Sequence, residues 1–126
     1  MAELNFTPEQ RAAIDTRGST VLVSAAAGSG KTRVLTERLM AYLTDAENPV
    51  DIDRFLVITY TRAAAAELRS RILDGIYARI ASDPENRRLR RQAALCARAE
   101  IGTIHSFCAD FLRANCAALA LAPDFQ

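Results

Sequence analysis

The residues with the clearest chemical potential form one loop, residues 25–32, which reads Ala-Ala-Ala-Gly-Ser-Gly-Lys-Thr. The phosphate-binding pattern G-x-x-x-x-G-K-[ST] is met here except at its first position, where Ala25 replaces glycine. Glycines in such a loop let successive backbone N–H groups point at phosphate oxygens. We therefore predict a site for a nucleoside triphosphate, with ATP as the expected ligand. The predicted phosphate contacts are Ala25, Ala26, Ala27, Gly28, Ser29, Gly30, Lys31 and Thr32.

Lys31 and Thr32 are the catalytic candidates of this loop. The ammonium of Lys31 is expected to reach the β- and γ-phosphates, and the Thr32 hydroxyl is expected to bind Mg²⁺. Lys31 is the one lysine among sixteen basic residues, and the other fifteen are arginines. A compact ammonium fits a tight phosphate cavity and a planar guanidinium does not, so this usage favours a functional lysine.

The elements that must position this loop follow from hydrophobic periodicity and from helix start and stop signals. Thr7, Pro8 and Gln10 predict a capped helix start, because Gln10 can complete a capping box with Thr7. Helices are predicted over residues 8–15, 32–44, 62–81, 84–98 and 106–119. Strands are predicted over residues 19–24, 55–60 and 100–104.

This order of elements predicts an α/β fold with a parallel sheet whose strands are buried on both faces. Three strands make a thin sheet, and few helices are available to cover it. We therefore expect residues 1–126 to be a fragment of a larger domain.

Composition limits the possible partners only weakly. The net charge is +1, and the basic cluster of Arg87, Arg88, Arg90 and Arg91 fits either a solvated helix face or a contact with a phosphate backbone. No stretch of eighteen apolar residues and no secretory signal is present, which predicts a cytoplasmic protein without a membrane span. The three cysteines do not have the spacing of a metal site.

Four segments together resemble the first half of the first motor domain of UvrD/Rep-type superfamily 1 DNA helicases. They are residues 6–10, 25–33, 58–72 and 102–113, which match in order and spacing the family's Q motif and its motifs I, Ia and Ib. The resemblance implies a P-loop, RecA-like parallel sheet flanked by helices and incomplete in this chain. The loop sequence and the His-Ser-Phe-Cys run look most like the AddA group, the helicase–nuclease subunits of bacterial double-strand-break repair complexes.

The resemblance also implies roles for single residues. Gln10 would read the adenine edge, and Arg33 would lie against the adenine face. A first DNA-contact segment would comprise Thr59, Tyr60, Thr61 and Arg62, and a second would comprise His105, Ser106 and Phe107. The implied partners are single-stranded or duplex DNA and a second, AddB-like subunit.

Structural alternatives stay open for several of these residues. Gln10 could serve only as part of a helix cap, and Tyr60 could be a core residue at a strand end. His105 could be a structural residue at a helix start, and Phe107 could belong to the core. Glu37 and Arg38 lie off the apolar stripe of their helix, and the charges expected to be solvated are Glu67, Arg69 and Arg71.

ATP hydrolysis needs more than this chain supplies. A carboxylate that follows a buried strand should hold Mg²⁺ and another should orient water, and neither is recognisable here. We therefore expect the intact protein to be the enzyme, an ATP-driven motor on single-stranded DNA, and this stretch alone to be inactive. The alternatives are a UvrD/Rep/PcrA-type repair helicase without a nuclease, a small-molecule kinase, and a non-catalytic nucleic-acid-binding module.

Overall fold

The computed structural model describes residues 5–26, 30–122 and 124. Within these residues the chain forms five α-helices and a parallel sheet of two strands. The helices are α1 (Pro8–Asp15), α2 (Lys31–Leu43), α3 (Arg62–Ser82), α4 (Arg87–Leu95) and α5 (Ile104–Ala114), and the strands are β1 (Leu56–Thr59) and β2 (Glu100–Thr103). Short 3-10 helices at Ile52–Arg54 and Cys96–Arg98 precede the two strands.

Three predicted helices form where local signals placed them. Thr7 and Gln10 form the expected capping box at the start of α1. The Thr61 hydroxyl accepts a hydrogen bond from the Ala64 amide at 3.0 Å and so caps α3. The start of α2 follows Gly30, which has a φ of 85°. These boundaries were predictable because cap and glycine signals act within a few residues.

The main core lies between α2, α3 and one face of the sheet. Strands β1 and β2 pair from Leu56 opposite Glu100 to Thr59 opposite Thr103, which confirms the parallel prediction for these two strands. The buried core residues are Leu39, Met40, Leu43, Ile52, Val57, Leu68, Ile72, Ile76, Cys96, Ala99 and Ile101. Since β1 and β2 share this core with α3, the start of α3 is fixed relative to the ends of both strands.

The predicted strand over residues 19–24 is wrong for this structure. Residues 20–26 form no ladder, and Leu22 is 91% exposed. A strand needs a backbone partner, and among the described residues β1 and β2 pair only with each other. The prediction that strands are buried on both faces also fails for β1, because Leu56 and Ile58 are about half exposed while Val57 is buried.

Helices α4 (Arg87–Leu95) and α5 (Ile104–Ala114) differ from their predictions at both ends. Helix α4 begins after Asn86, whose side chain accepts a hydrogen bond from the Leu89 amide at 3.2 Å, and not at Pro84. Helix α5 begins at Ile104 and ends at Ala114, where the Asn115 side-chain amide donates to the Phe111 carbonyl at 2.8 Å. The side chains of Asn86 and Asn115 therefore determine where α4 begins and where α5 ends.

The basic cluster is divided by its contacts. Arg88 donates to an Asp51 carboxylate oxygen at 2.6 Å and to the Leu43 carbonyl at 3.1 Å, and Arg91 lies 3.5 Å from the same carboxylate. The hydrogen bond from Arg88 lowers the pKa of Asp51. Arg88 thus joins α4 to the end of α2. The exposed Arg87 and Arg90 still fit either a solvated helix face or a contact with a phosphate backbone. No helix in the described ranges is long and apolar enough to cross a membrane.

Candidate nucleotide and nucleic-acid sites

The start of α2 has the geometry expected at the end of a phosphate-binding loop. Gly30 is the N-cap residue and adopts a left-handed conformation that a residue with a side chain rarely takes. Lys31 and Thr32 follow in the exposed first turn, where unpaired backbone amides and the positive end of the helix dipole favour an anion.

The middle of this loop lies outside the described residues. Ala27, Gly28 and Ser29 belong to that part of the chain, so the predicted amide cavity around them stays a prediction. Ala25 is half-buried and Ala26 is exposed on the near side of the gap. Their contacts with phosphate also stay predictions.

The two residues predicted to meet the nucleobase lie close to Gly30 and to the start of α2. The side-chain amide nitrogen of Gln10 lies close to Gly30, 3.7 Å from the position that a Cβ atom on Gly30 would occupy. The Gln10 side-chain oxygen accepts a hydrogen bond from the Thr7 amide at 2.9 Å, which confirms the capping interpretation. The Arg33 guanidinium lies over the Phe6 ring, 4.6 Å from its centroid. The guanidinium of Arg33 and the carboxamide of Gln10 therefore lie beside the loop. Their contact with adenine stays a prediction.

Arg38 holds α1 against α2, a role that the sequence did not reveal. Its Nη1 donates to the carbonyls of Ala13 and Thr16, each at 2.7 Å. The Arg17 guanidinium, from just beyond α1, lies 3.9 Å from the centroid of the Tyr42 ring on α2. The position of Arg38 off the apolar stripe of α2 did not indicate this role, in which it satisfies carbonyls at the end of α1.

We expect Arg38→Ala to loosen α1 and with it Gln10. Two charge-assisted hydrogen bonds are lost, so the local opening free energy of α1 should fall by about 1–3 kcal/mol. Hydrogen–deuterium exchange of amides 11–15 measures this as faster exchange. Arg90→Ala, on the exposed side of α4, is the matched control. Unchanged exchange in the Arg38 variant would contradict the assignment.

The parallel pairing of β1 and β2 brings their carboxyl ends together and opens a cleft of about 610 Å³ there. Residues at the start of α3 and residues along α5 form its two walls. The lining residues are Tyr60, Arg62, Thr103, His105, Ser106, Ala109, Asp110 and Arg113. Four of the seven predicted DNA contacts, Tyr60, Arg62, His105 and Ser106, are thus gathered in one place. We call this feature the strand-end cleft.

Tyr60 and Arg62 present the groups best suited to bind a ligand in the strand-end cleft. The Tyr60 side chain is fully exposed, at 103%, so its interpretation as a core residue is wrong. The exposed Arg62 guanidinium forms no hydrogen bond or ion pair with any residue in the described part of the chain. An exposed aromatic ring and an unpaired cation side by side are suited to a base and a phosphate.

The hydroxyl groups near the cleft shape its backbone. Thr59 donates to the Thr61 carbonyl at 3.1 Å, and Thr61 caps α3. The Ser106 amide donates to Thr103 Oγ1 at 3.1 Å, so Thr103 and not His105 caps α5. His105 is exposed in the first turn of α5, where it lines the cleft.

Phe107 does not line the strand-end cleft. It is half-buried and lines an adjoining groove, and its ring centroid lies 6.1 Å from that of Phe111. Sequence reasoning missed Asp110 and Arg113, whose side chains approach to 3.4 Å. Their helical spacing from Ser106 is the signal that could have identified them, because residues three or four apart share one face of a helix.

A metal site built by protein side chains alone is not found in the described ranges. The Thr32 side chain is exposed at the start of α2, and its backbone carbonyl accepts a hydrogen bond from Thr36 at 2.8 Å. One hydroxyl fits Mg²⁺ held mainly by water and phosphate oxygens, which is how this ion is usually bound beside a nucleotide. Thr32 is thus the candidate protein ligand among the described residues.

Comparison with known proteins places these sites in a family. Residues 6–126 match the model of the UvrD/REP helicase N-terminal domain. The A subunit of the ATP-dependent helicase/nuclease of Clostridium acetobutylicum is 51% identical over 126 residues, which is all of this chain and 10% of that protein. The protein of the same name from Thermoanaerobacter pseudethanolicus is 54% identical over 121 residues, covering 96% of this chain and 10% of the relative. This chain thus spans about a tenth of the length of these relatives. The chain belongs to the UvrD/REP helicase family, and it matches the N-terminal domain of that family.

Proposed function

We propose that residues 1–126 are the N-terminal portion of the ATP-binding motor domain of an ATP-dependent DNA helicase that translocates on single-stranded DNA. The whole protein would be an AddA-like helicase/exonuclease that acts in double-strand-break repair and recombination. The names of relatives about half identical to this chain support the AddA-like type. The domain would have a P-loop, RecA-like fold, to which β1, β2 and the helix after the glycine loop would belong.

One observation carries the DNA part of this proposal: the strand-end cleft gathers side chains from two segments more than forty residues apart in sequence. In open α/β sheets, ligands bind outside the carboxyl ends of the strands. Tyr60 would stack on a base without selecting its identity, and Arg62 would neutralise a phosphate. Such contacts suit a protein that must move along any sequence.

The nucleotide would lie at the start of α2. Lys31 would hold the β- and γ-phosphates, Thr32 would bind Mg²⁺, and Gln10 and Arg33 would contact adenine. Mg²⁺ would supply neutralisation of phosphate charge. The carboxylates and arginines that complete hydrolysis would come from other parts of the whole protein, so we propose that this stretch alone does not turn ATP over.

The other functional classes have less support. Membership of a helicase family argues against a small-molecule kinase. A non-catalytic binding module has no need of an exposed Lys31 and Thr32 after a left-handed Gly30. A UvrD/Rep/PcrA-type repair helicase without a nuclease remains the second candidate, and the names of the relatives favour the nuclease-bearing type. We further propose a cytoplasmic location, where bacterial DNA lies, and an AddB-like second subunit.

The salt dependence of DNA binding by the whole protein tests the proposal. Single-stranded DNA affinity depends on salt with a slope of about 0.7 per neutralised phosphate in a double-logarithmic plot. We expect Arg62→Ala to reduce this slope by about 0.7 and to weaken binding about equally across sequences. Fluorescence anisotropy with oligonucleotides of mixed sequence measures both quantities.

The control for this experiment is Arg54→Ala, which removes an exposed arginine from the 3-10 helix before β1. It should leave the slope unchanged. If Arg62→Ala and Arg54→Ala behave alike, the strand-end cleft does not hold the DNA backbone and the proposal fails.

A further inference from the structure

Arg69 is the side chain that joins α3 directly to β2. It is half-buried on α3, and its guanidinium donates to three backbone carbonyls. Nη1 bonds to the Cys96 carbonyl, and Nη2 bonds to the Ala99 and Ile101 carbonyls, each at 3.1 Å. The expectation that Arg69 is a solvated helix charge is therefore wrong.

The three acceptors lie along the backbone that enters the sheet. Cys96 begins the 3-10 helix before β2, Ala99 is the residue just before the strand, and Ile101 is inside it. Cys96, Ala99 and Ile101 are themselves buried, so their carbonyls have little access to water. One planar guanidinium carries five donors in a fixed fork, which a lysine ammonium cannot reproduce. The geometry therefore requires arginine in particular.

The position of Arg69 links the two walls of the strand-end cleft. Helix α3, on which it lies, begins at Arg62 beside Tyr60, about two helical turns before Arg69. Strand β2, which it holds, ends at Thr103, where α5 begins and presents His105. A shift between α3 and β2 would therefore change the separation of Tyr60 and Arg62 from His105.

We propose that Arg69 is a positioning residue that fixes the spacing of the two walls of the strand-end cleft and thereby sets its affinity for single-stranded DNA. The inference rests on the proposed function. Arg69 does not line the cleft itself, so it acts through the backbone that it holds. This separates it from Arg62, whose guanidinium would meet the phosphate directly.

The test uses Arg69→Ala and Arg69→Lys in the whole protein, with oligo(dT) as the probe. Fluorescence anisotropy across a salt series gives Kd and its salt slope, and the ATPase assay gives KM values for DNA and for ATP. Arg69→Ala should raise Kd and the KM for DNA by about tenfold, a change that corresponds to loss of a buried charge-assisted hydrogen-bond group. The salt slope and the KM for ATP should stay unchanged, because Arg69 contacts neither phosphate nor nucleotide.

Arg69→Lys keeps the charge and the aliphatic stem, and it should restore only part of the affinity. It also serves as the main variant if Arg69→Ala loses its folded circular-dichroism spectrum. Arg71→Ala is the matched control, since this exposed arginine on the same helix pairs, among the described residues, only with Glu67 at 2.7 Å. We expect it to change Kd by less than about twofold, as surface ion pairs contribute little.

The outcomes separate this inference from the proposed function. If Tyr60→Ala and Arg62→Ala weaken binding while both Arg69 variants bind normally, the inference is overturned and the proposed function stands. If Arg69→Ala lowers the salt slope by about 0.7, Arg69 is a direct phosphate contact and the positioning role is wrong. If no cleft variant alters binding, the proposed function itself fails.

Discussion

Replacing Lys31 with alanine in the whole protein is expected to lower the kcat of DNA-stimulated ATP hydrolysis by about 100- to 1,000-fold. This is the usual effect of removing one donor that stabilises charge in a transition state, about 3–4 kcal/mol. Lys31 lies in the exposed first turn of α2, directly after the left-handed Gly30, and residues 1–126 contain no second lysine. Steady-state phosphate release with saturating single-stranded DNA measures the loss.

Lys31→Arg is the informative control for this prediction. It preserves the positive charge but replaces a compact ammonium with a planar fork, so activity should stay close to that of the alanine variant. Retention of more than about a tenth of the wild-type kcat in Lys31→Arg would mean that charge alone suffices. Wild-type turnover in Lys31→Ala would contradict the assignment of residues 25–32 as the phosphate site.

Replacing Tyr60 with alanine is expected to weaken single-stranded DNA binding by about 1–3 kcal/mol, the contribution of one base stacked on an aromatic ring. This corresponds to an increase in Kd of about 5- to 150-fold. Because the Tyr60 side chain is fully exposed, its removal leaves no cavity in the core and folding should be unaffected. Anisotropy with oligo(dT) measures Kd, and the melting temperature verifies the fold.

Two further variants make this prediction specific. Tyr60→Phe keeps the stacking surface and should bind nearly as well as the wild type. Tyr77→Ala removes another exposed tyrosine, one that lies on α3 and does not line the strand-end cleft, and it should have no effect. If Tyr60→Phe is as weak as Tyr60→Ala, the hydroxyl and not the ring makes the contact.

The sequence predicted those parts of the fold that depend on near neighbours. The capping box of Thr7 and Gln10, the cap of α3 at Thr61 and the start of α2 after Gly30 all formed as expected. The strand predicted at residues 19–24 did not form, although its composition is that of a strand, because strand formation depends on a backbone partner elsewhere. Local patterns cannot supply that information.

The residues of the candidate DNA site came from the family resemblance, which assigns the segments after β1 and β2 to DNA contact. Because parallel strands bring their carboxyl ends to one edge, the fold places Tyr60 and His105 together in the strand-end cleft. Phe107 was assigned with them by the same resemblance, yet successive residues of a helix point in different directions. It lines the neighbouring groove instead.

The two arginines that hold elements together were not predictable. Arg38 and Arg69 lie at positions where a helical pattern expects solvated charge, and each donates to backbone carbonyls of another element. A carbonyl carries no side-chain signature, so such a pairing leaves no trace in the sequence. Only the tertiary arrangement reveals it.

The capping box at α1 has a consequence for the proposed contact between Gln10 and the nucleobase. The Thr7 backbone amide donates to the carboxamide oxygen of Gln10 at 2.9 Å, and the Gln10 backbone amide donates in return to the Thr7 hydroxyl at 3.2 Å. Immobilising a flexible side chain on binding usually costs about 0.5–1.5 kcal/mol of rotational entropy. In this chain that ordering occurs during folding, so Gln10 reaches any ligand with its rotamer already selected. With Gln10 in its proposed contact with adenine, this helix cap would also preorganise the ligand contact, and Thr7 would contribute to affinity without touching the ligand.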